Sequence, residues 1–361
     1  MIHFRSLQSL RGIAALLVVY FHAVLQIRFA LGRPQTSLPV FGAAGVDLFF
    51  VLSGFVMWTS TAGRDLSPLG FYKRRLVRIV PLYWIVTLAA CLIALLLPQL
   101  LRSTVFTFEH ALTSFLFLPW PNPGLPSTSP DLLSPVVIPG WTLNYEMFFY
   151  LLFGCTLLVP QQNRPTAVAG LIGLTLIAAH FLSPLVPNLH FYANSMMLEF
   201  LAGIVIAAAI ARWQLPFPRF WPAAVLILLV ALCWVEALDL QVDRVLRLGI
   251  LAALIILGAA AAERAETAPR AVLLEHIGDA SYSVYLVHVF VIAALRGVTK
   301  AFEIQIVGAG GELLFLAAAL IGSVTVGMLV HRLVELPSTR FTSRLLMKPR
   351  RDGRPLAVMI P

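Results

Sequence analysis

Ten apolar runs, separated by short polar or basic connections, constrain what this chain can fold into more than any other feature of its sequence. They begin near Ser6, Phe41, Leu76, Trp141, Thr166, Tyr192, Phe220, Val245, Ala280 and Gly311. Each is long enough, or nearly so, to cross the ~30 Å of hydrocarbon that a helix of about 20 residues spans. Inside hydrocarbon every backbone N–H and C=O needs a partner within the protein, and a helix supplies those partners from its own segment. The expectation is an all-α polytopic membrane helix bundle of about ten transmembrane helices. A further apolar stretch, His110 to Leu118, is too short to cross and runs into PWPNPGLPSTSP, so it reads as one short re-entrant or interfacial segment.

Composition agrees. Of the 361 residues, 59% are hydrophobic and 12% charged, with a mean hydropathy of +0.88, which excludes an ordinary soluble pair of domains. The net charge of +9 would suit a nucleic-acid partner, but the basic residues sit in connections between apolar runs, so a lipid bilayer and no nucleic acid is expected. Their bias sets an orientation. With a cytoplasmic N-terminus, ten crossings place Arg5, Arg64, Lys73, Arg74, Arg75, Arg78, Arg164, Arg212, Arg219, Arg264, Arg270 and the tail from Arg340 to Arg354 inside. Fewer fall outside: Arg28, Arg33, Arg102, Arg244, Arg247, Arg296 and Lys300. Both termini are then cytoplasmic, residues 1–340 form one integral membrane domain, and 341–361 form a basic cytoplasmic tail. The first run contains His22 and lacks an A-x-A-like site, so it is expected to remain as a span rather than a cleaved signal. Cys91, Cys155 and Cys233 lie in apolar runs without metal-ligand spacing; buried thiols, no disulfide framework and no metal are expected.

The first span, FRSLQSLRGIAALLVVYFHA, carries an arginine and a histidine. Arg11 and His22 are eleven residues apart. At ~3.6 residues per turn that is about three turns, which puts both on one helix face with roughly 16 Å between them. Ionisable groups within a span usually face the bundle interior or a wet cavity and mark function. The residues alone also allow a snorkelling interfacial arginine and a histidine that bonds a neighbouring helix.

Two sets of polar residues share a depth in this topology. Arg75 and Arg78, three apart at the start of the third span, lie at the same surface as Arg11, and arginine forks suit phosphate oxygens; the alternative is a topology signal, preferred for Lys73 and Arg74. Toward the outer half, His22, Asp47 and Glu146 stand on three different spans. A histidine beside a carboxylate can be an oriented general base, or the three can form a proton relay in a transporter. Gly42, Gly45, Ser53 and Gly54 give the second span small residues for close packing. In DASYSVYLVH, Asp279, Ser281, Tyr282 and His288 open the ninth span with a polar face, a candidate lining for a passage between the two sets, although Ser281 and Tyr282 singly suit interhelical hydrogen bonds. His331 and Glu335, spaced i,i+4 before Pro337, read as a structural clamp.

Five strings in order resemble one known family, the integral membrane acyltransferase-3 proteins, which O-acylate polysaccharides, lipopolysaccharide, peptidoglycan, Nod factors and small molecules. They are LRGIAALLVVYFHA with the R-x10-H spacing on Arg11 and His22, GVDLFFVLSGFVM, KRRLVRIVPLYW with R-x-x-R on Arg75 and Arg78, WTLNYEMFFY with Glu146, and DASYSVYLVH. The likeness runs over nearly the whole chain and looks most like the exopolysaccharide O-acetyltransferases. Two features depart from the common pattern: Gln8 stands where many members carry an acidic residue, and the sequence shows no appended extracytoplasmic esterase-like domain.

The resemblance implies acetyl-CoA as acyl donor, with Arg11, Arg75 and Arg78 on its phosphates and the pantetheine arm reaching toward His22. His22 would be the general base for a sugar hydroxyl, oriented by Glu146 or Asp47, with direct transfer favoured over an acetyl-histidine intermediate. It implies a polysaccharide or lipid-linked saccharide acceptor and a bacterial inner (plasma) membrane. The rival class is a proton-coupled transporter or exporter of a small anionic or sugar solute; the sequence shows neither the inverted repeats nor the paired broken helices common in that class.

Overall fold

A computed structural model of the chain describes residues 4–347 except 31, 33–35, 65, 99–103, 130–131 and 184. Arg33, Arg102 and the tail from Lys348 onward lie outside the described residues. The helices are α1 Arg5–Leu25, α2 Gly45–Thr61, α3 Pro68–Leu96, α4 Phe108–Phe115, α5 Trp141–Thr156, α6 Arg164–Leu182, α7 Met197–Arg212, α8 Trp221–Ala237, α9 Ile250–Arg264, α10 Val272–Asp279, α11 Ser281–Ala301, α12 Gly308–Val330 and α13 Leu336–Leu346. Among the described residues there is no strand. Seven helical stretches, built on α1, α3, α6, α7, α9, α11 and α12, are long and apolar enough to cross a membrane. α2 and α8, of 17 residues each, are shorter apolar helices, and α5 has 16 residues. The ten expected spans thus coincide with helices, and the chain is an all-α polytopic bundle.

Local chemistry explains several boundaries. Ser67 accepts from the Gly70 N–H (3.2 Å) and Pro68 occupies the first helical turn, so α3 starts at a capped, preorganised end. α4 has eight residues, about 12 Å of rise, and does not cross. Thr107 caps it through the His110 N–H (3.3 Å), and Phe117, at φ 58°, turns the chain out of it. The connection that follows folds back onto α4. His110, fully buried, bonds through Nε2 to the Ser134 carbonyl (2.9 Å), and Ser114 Oγ accepts from the Val136 N–H (3.0 Å).

The helices form two compact units, one of α1, α2 and α7 to α12, the other of α3 to α6 with α13. In the first unit α1 packs on α9, α10 and α11. Its small residues permit this. A Cβ on Gly12 would meet the Leu274 carbonyl oxygen at 2.5 Å, and one on Gly278 would collide with the Gln8 carbonyl. Gly42 and Gly45 bring the start of α2 equally close to the Leu17 and Ala14 carbonyls, and Gly54 and Gly203 do the same between α2 and α7. Without a hydrophobic force between helices in lipid, such close backbone approach supplies the van der Waals contact that associates them. Further along, Ala15 and Val19 pack with Ala280 and Val284, and Ala23 packs with Ile292, Leu316 and Ala319.

A charged clamp holds the start of α2. Glu236 accepts from the Gly42 and Ala44 N–H groups (2.7 and 3.2 Å), a carboxylate placed where the positive end of the helix dipole favours it. Arg244 donates to both oxygens of Asp47 (3.1 and 2.6 Å) and to the Ala43 carbonyl (3.0 Å). Asp47 is 0% exposed and Arg244 31%.

In the second unit α3 packs against α5 and α13. The Tyr72 hydroxyl donates to the Leu151 carbonyl (2.9 Å), and Trp84 Nε1 donates to the Phe115 carbonyl (2.9 Å). α12 leads into a π-helical segment, His331–Glu335, whose end residues pair at 2.8 Å between Nδ1 and Oε2, as expected of a clamp. The cysteines are all free, but only Cys91 is buried. Cys233 is half-buried and Cys155 exposed, because Cys155 shares an outward stripe of α5 with Leu151, one turn earlier.

Gly278→Val is expected to destabilise the protein by about 1–3 kcal/mol through overpacking. Thermal unfolding in detergent measures it, and an unchanged melting curve would mean that α1 and α10 do not depend on backbone contact. Arg244→Met leaves the buried Asp47 charge without its cation and is expected to cost about 3 kcal/mol. Adding Asp47→Asn should recover most of that loss; a double variant no better than the single would show that the charge pair is not what Arg244 supplies.

Candidate functional site

α1 carries two of the residues singled out in the sequence, and its unbroken course from Arg5 to Leu25 keeps the expected axial separation of Arg11 and His22. Near the start of α1, Arg11 Nη1 donates to Gln8 Oε1 (3.5 Å), and Gln8 Nε2 donates to Asp279 Oδ1 (2.6 Å). The glutamine standing where an acidic residue is common therefore relays between an arginine and an acid from α10. Asp279, expected to line a passage, lies at this end, and the buried Ser281 and half-buried Tyr282 follow it on α11.

His22 lies three turns further on. Its Nδ1 is 2.9 Å from the Val18 carbonyl oxygen and 3.3 Å from Nε2 of His288, whose ring centroid is 4.8 Å away at an interplanar angle of 62°. His288 is fully buried, and its own Nδ1 is 2.7 Å from the Tyr285 carbonyl oxygen. A carbonyl oxygen can only accept, so each Nδ1 that faces one carries the proton in the neutral ring. His22 then holds its lone pair on Nε2. His288 holds its lone pair on the Nε2 that faces His22, so the two rings are compatible as a neutral pair. The α1–α11 packing that sets this distance runs through Ala15, Val19, Ala280 and Val284.

The two carboxylates expected beside His22 have other partners in the structure. Both oxygens of Asp47 are taken by Arg244, an arginine that sequence position marks only as an outer-loop charge. Glu146, half-buried on α5, accepts from the Tyr150 hydroxyl one turn further along the same helix. Tyr150 in turn stacks beneath a guanidinium: Arg75 lies 5.6 Å from its ring centroid and 5.5 Å from that of Phe71. In the second unit, therefore, Glu146, Tyr150, Phe71 and Arg75 form one group, with Arg75 buried and Arg78 half-buried one turn further along α3. Stacking on two aromatic faces lets an arginine remain charged in an apolar setting while its edge N–H groups stay directed.

Sequence reasoning passed over three residues. Glu199 is buried in α7, and Glu236 and Arg244 complete the clamp on α2. Single acidic residues within MLEFLAGIV and LCWVEA were the available signal.

Residues 4–332 match the acyltransferase domain that defines the acyltransferase-3 family. The exopolysaccharide production protein ExoZ of Rhizobium meliloti (strain 1021) is 35% identical over 300 residues, covering 83% of this chain and 90% of that protein. The acyltransferase MdmB of Streptomyces mycarofaciens is 27% identical over 94% of this chain and 92% of its own length. The peptidoglycan O-acetyltransferase OatA of Listeria monocytogenes is 25% identical over 60% of this chain, which covers 35% of that longer protein. No solved structure matches the chain significantly. The chain is a membrane-embedded acyltransferase of the acyltransferase-3 family.

Proposed function

We propose that this acyltransferase moves an acetyl group from cytoplasmic acetyl-CoA to a hydroxyl of an exported or cell-surface polysaccharide, or of its lipid-linked precursor. The observation that carries the reading is the state of His22, whose Nδ1 faces the Val18 carbonyl and whose lone pair is therefore on Nε2. That nitrogen removes the acceptor hydroxyl's proton as the oxygen attacks the thioester carbonyl. The C–S bond then breaks, and the proton on Nε2 passes to the leaving thiolate, giving an acetyl ester and free CoA with His22 neutral again. The Rhizobium relative is named for exopolysaccharide production and the Listeria relative for peptidoglycan O-acetylation, which supports a saccharide acceptor and an acetyl group.

Arg11, Arg75 and Arg78 are assigned to the phosphates of the donor. Arginine suits them as a planar, permanently charged fork. Arg78 is the most direct test, because Arg75 already stacks on Phe71 and Tyr150 and Arg11 already bonds Gln8. Glu146 acts in this reading through Tyr150 and Arg75, and Asp47 through Arg244. The basic bias of the loops supports a bacterial inner membrane location with both termini in the cytoplasm, which puts the donor arginines on the side where acetyl-CoA is made.

Purified protein is expected to release CoA from acetyl-CoA in an acceptor-dependent manner, and His22→Ala should lower that rate at least ~100-fold with the protein still folded in the membrane. Cells lacking the gene should lose O-acetyl signals in the NMR spectrum of their polysaccharide, regain them with wild type and not with His22→Ala. Activity retained by His22→Ala removes His22 from the chemistry. Arg78→Ala should raise KM for acetyl-CoA about 10-fold with kcat little changed, the loss of one charge-assisted contact. An unchanged KM would take Arg78 out of the donor site.

A further inference from the structure

We infer that His288 is the positioning residue for His22, filling with a neutral imidazole the place that a carboxylate holds beside the histidine of a Ser-His-Asp triad. The inference rests on the reading of His22 as the base. It assigns to α11 the orienting role that sequence position alone gave to Asp47 or Glu146.

Three observations carry it. His288 Nε2 is 3.3 Å from His22 Nδ1, so the second ring touches the nitrogen opposite the one that works on the hydroxyl. The orientation of His288 is itself fixed, because its Nδ1 donates to the Tyr285 carbonyl at 2.7 Å, leaving a lone pair on Nε2 as the only group it can present to His22. Finally, His288 is completely buried, with Tyr285 against its ring (centroids 6.0 Å apart), so water does not compete for that lone pair.

The consequence follows from the proton count. When His22 Nε2 accepts the hydroxyl proton, the ring becomes an imidazolium and its Nδ1–H becomes a stronger donor. The Val18 carbonyl and the His288 lone pair both lie within reach of that hydrogen as acceptors. His288 thereby stabilises the charge that exists only after proton abstraction and holds the ring in the tautomer that keeps Nε2 basic. Having no charge of its own, it does so without an isolated anion in an apolar bundle. A passage-lining or packing residue would have neither effect on the basicity of His22.

Paired variants separate these roles. His288→Gln can place an amide oxygen where the Nε2 lone pair lies, whereas His288→Ala removes the acceptor. His288→Ala is expected to lower kcat for acetyl transfer about 100-fold with KM for acetyl-CoA changed less than about twofold, and to shift the acid limb of the kcat–pH profile. His288→Gln should restore at least ~10-fold of the lost kcat. Membrane content and melting in detergent, measured on both variants, separate misfolding from chemistry. Equal loss in both folded variants, or a loss expressed in KM with an unmoved pH profile, overturns the inference in favour of packing or passage lining. If His288→Ala misfolds, His288→Gln decides: wild-type kcat with a wild-type pH profile supports the acceptor role, and a kcat as low as that of His22→Ala refutes it. His22→Ala assayed alongside keeps the two claims apart. Full activity there refutes the base itself, whereas an inactive His22→Ala with wild-type His288→Ala refutes only the positioning role.

Discussion

Close backbone contact between α1 and α10 governs where the polar groups of the first unit sit. At Gly12 and Gly278 the helices approach until a single Cβ on either side would strike a carbonyl. Lipid offers no hydrophobic drive to bring helices together, so contact of this kind must come from small residues that let backbones touch. The glycines at the start of α2 repeat the arrangement against Leu17 and Ala14. α1 is held in this way along most of its length, and the positions of Arg11 and His22 are inherited from that grip. A one-residue rotation of α1 would turn His22 about 100° away from His288.

With the helices so placed, several charges within the apolar bundle each have their own remedy. Asp47 is met by Arg244, and Glu236 by two backbone N–H groups. Gln8 joins Arg11 to Asp279, and Arg75 lies over two aromatic rings. The histidine pair differs in that its contacts suit two neutral rings. Two carbonyls, at Val18 and Tyr285, set both tautomers, and the pair avoids the desolvation penalty that a buried ion would carry. In the proposed mechanism His22 starts uncharged and gains its charge in the transition state, when the surrounding acceptors have most to contribute.

The helices were legible because ten apolar runs each coincide with one, seven of them in stretches long enough to cross a membrane; the short α4 was legible because its run falls well below that length. The His331–Glu335 pair followed from i,i+4 spacing alone. Partners distant in sequence were not legible. Topology gives a residue an expected depth but not its direction around the helix axis, so the Arg244 partner of Asp47 and the Tyr150 partner of Glu146 were not foreseen. Asp47 meets an arginine 197 positions away, and His22 meets a histidine 266 positions away. His288 was visible as part of a polar stripe without any sign of which ring it would face. Cys155 shows the same limit: an apolar run marks a residue as within the membrane layer and leaves open whether it faces protein or the outer surface.

The protonation state of His22 decides whether it can serve as the base. Nitrogen NMR of protein in bilayers, with labelled histidine and His22 assigned by loss of its signal in a substituted variant, reports which ring nitrogen carries hydrogen. The expected result is a neutral ring at about pH 7.5 with hydrogen on Nδ1 and none on Nε2. A ring protonated on Nε2 alone, or on both nitrogens at that pH, would contradict it, because His22 would then have no lone pair to offer an acceptor hydroxyl.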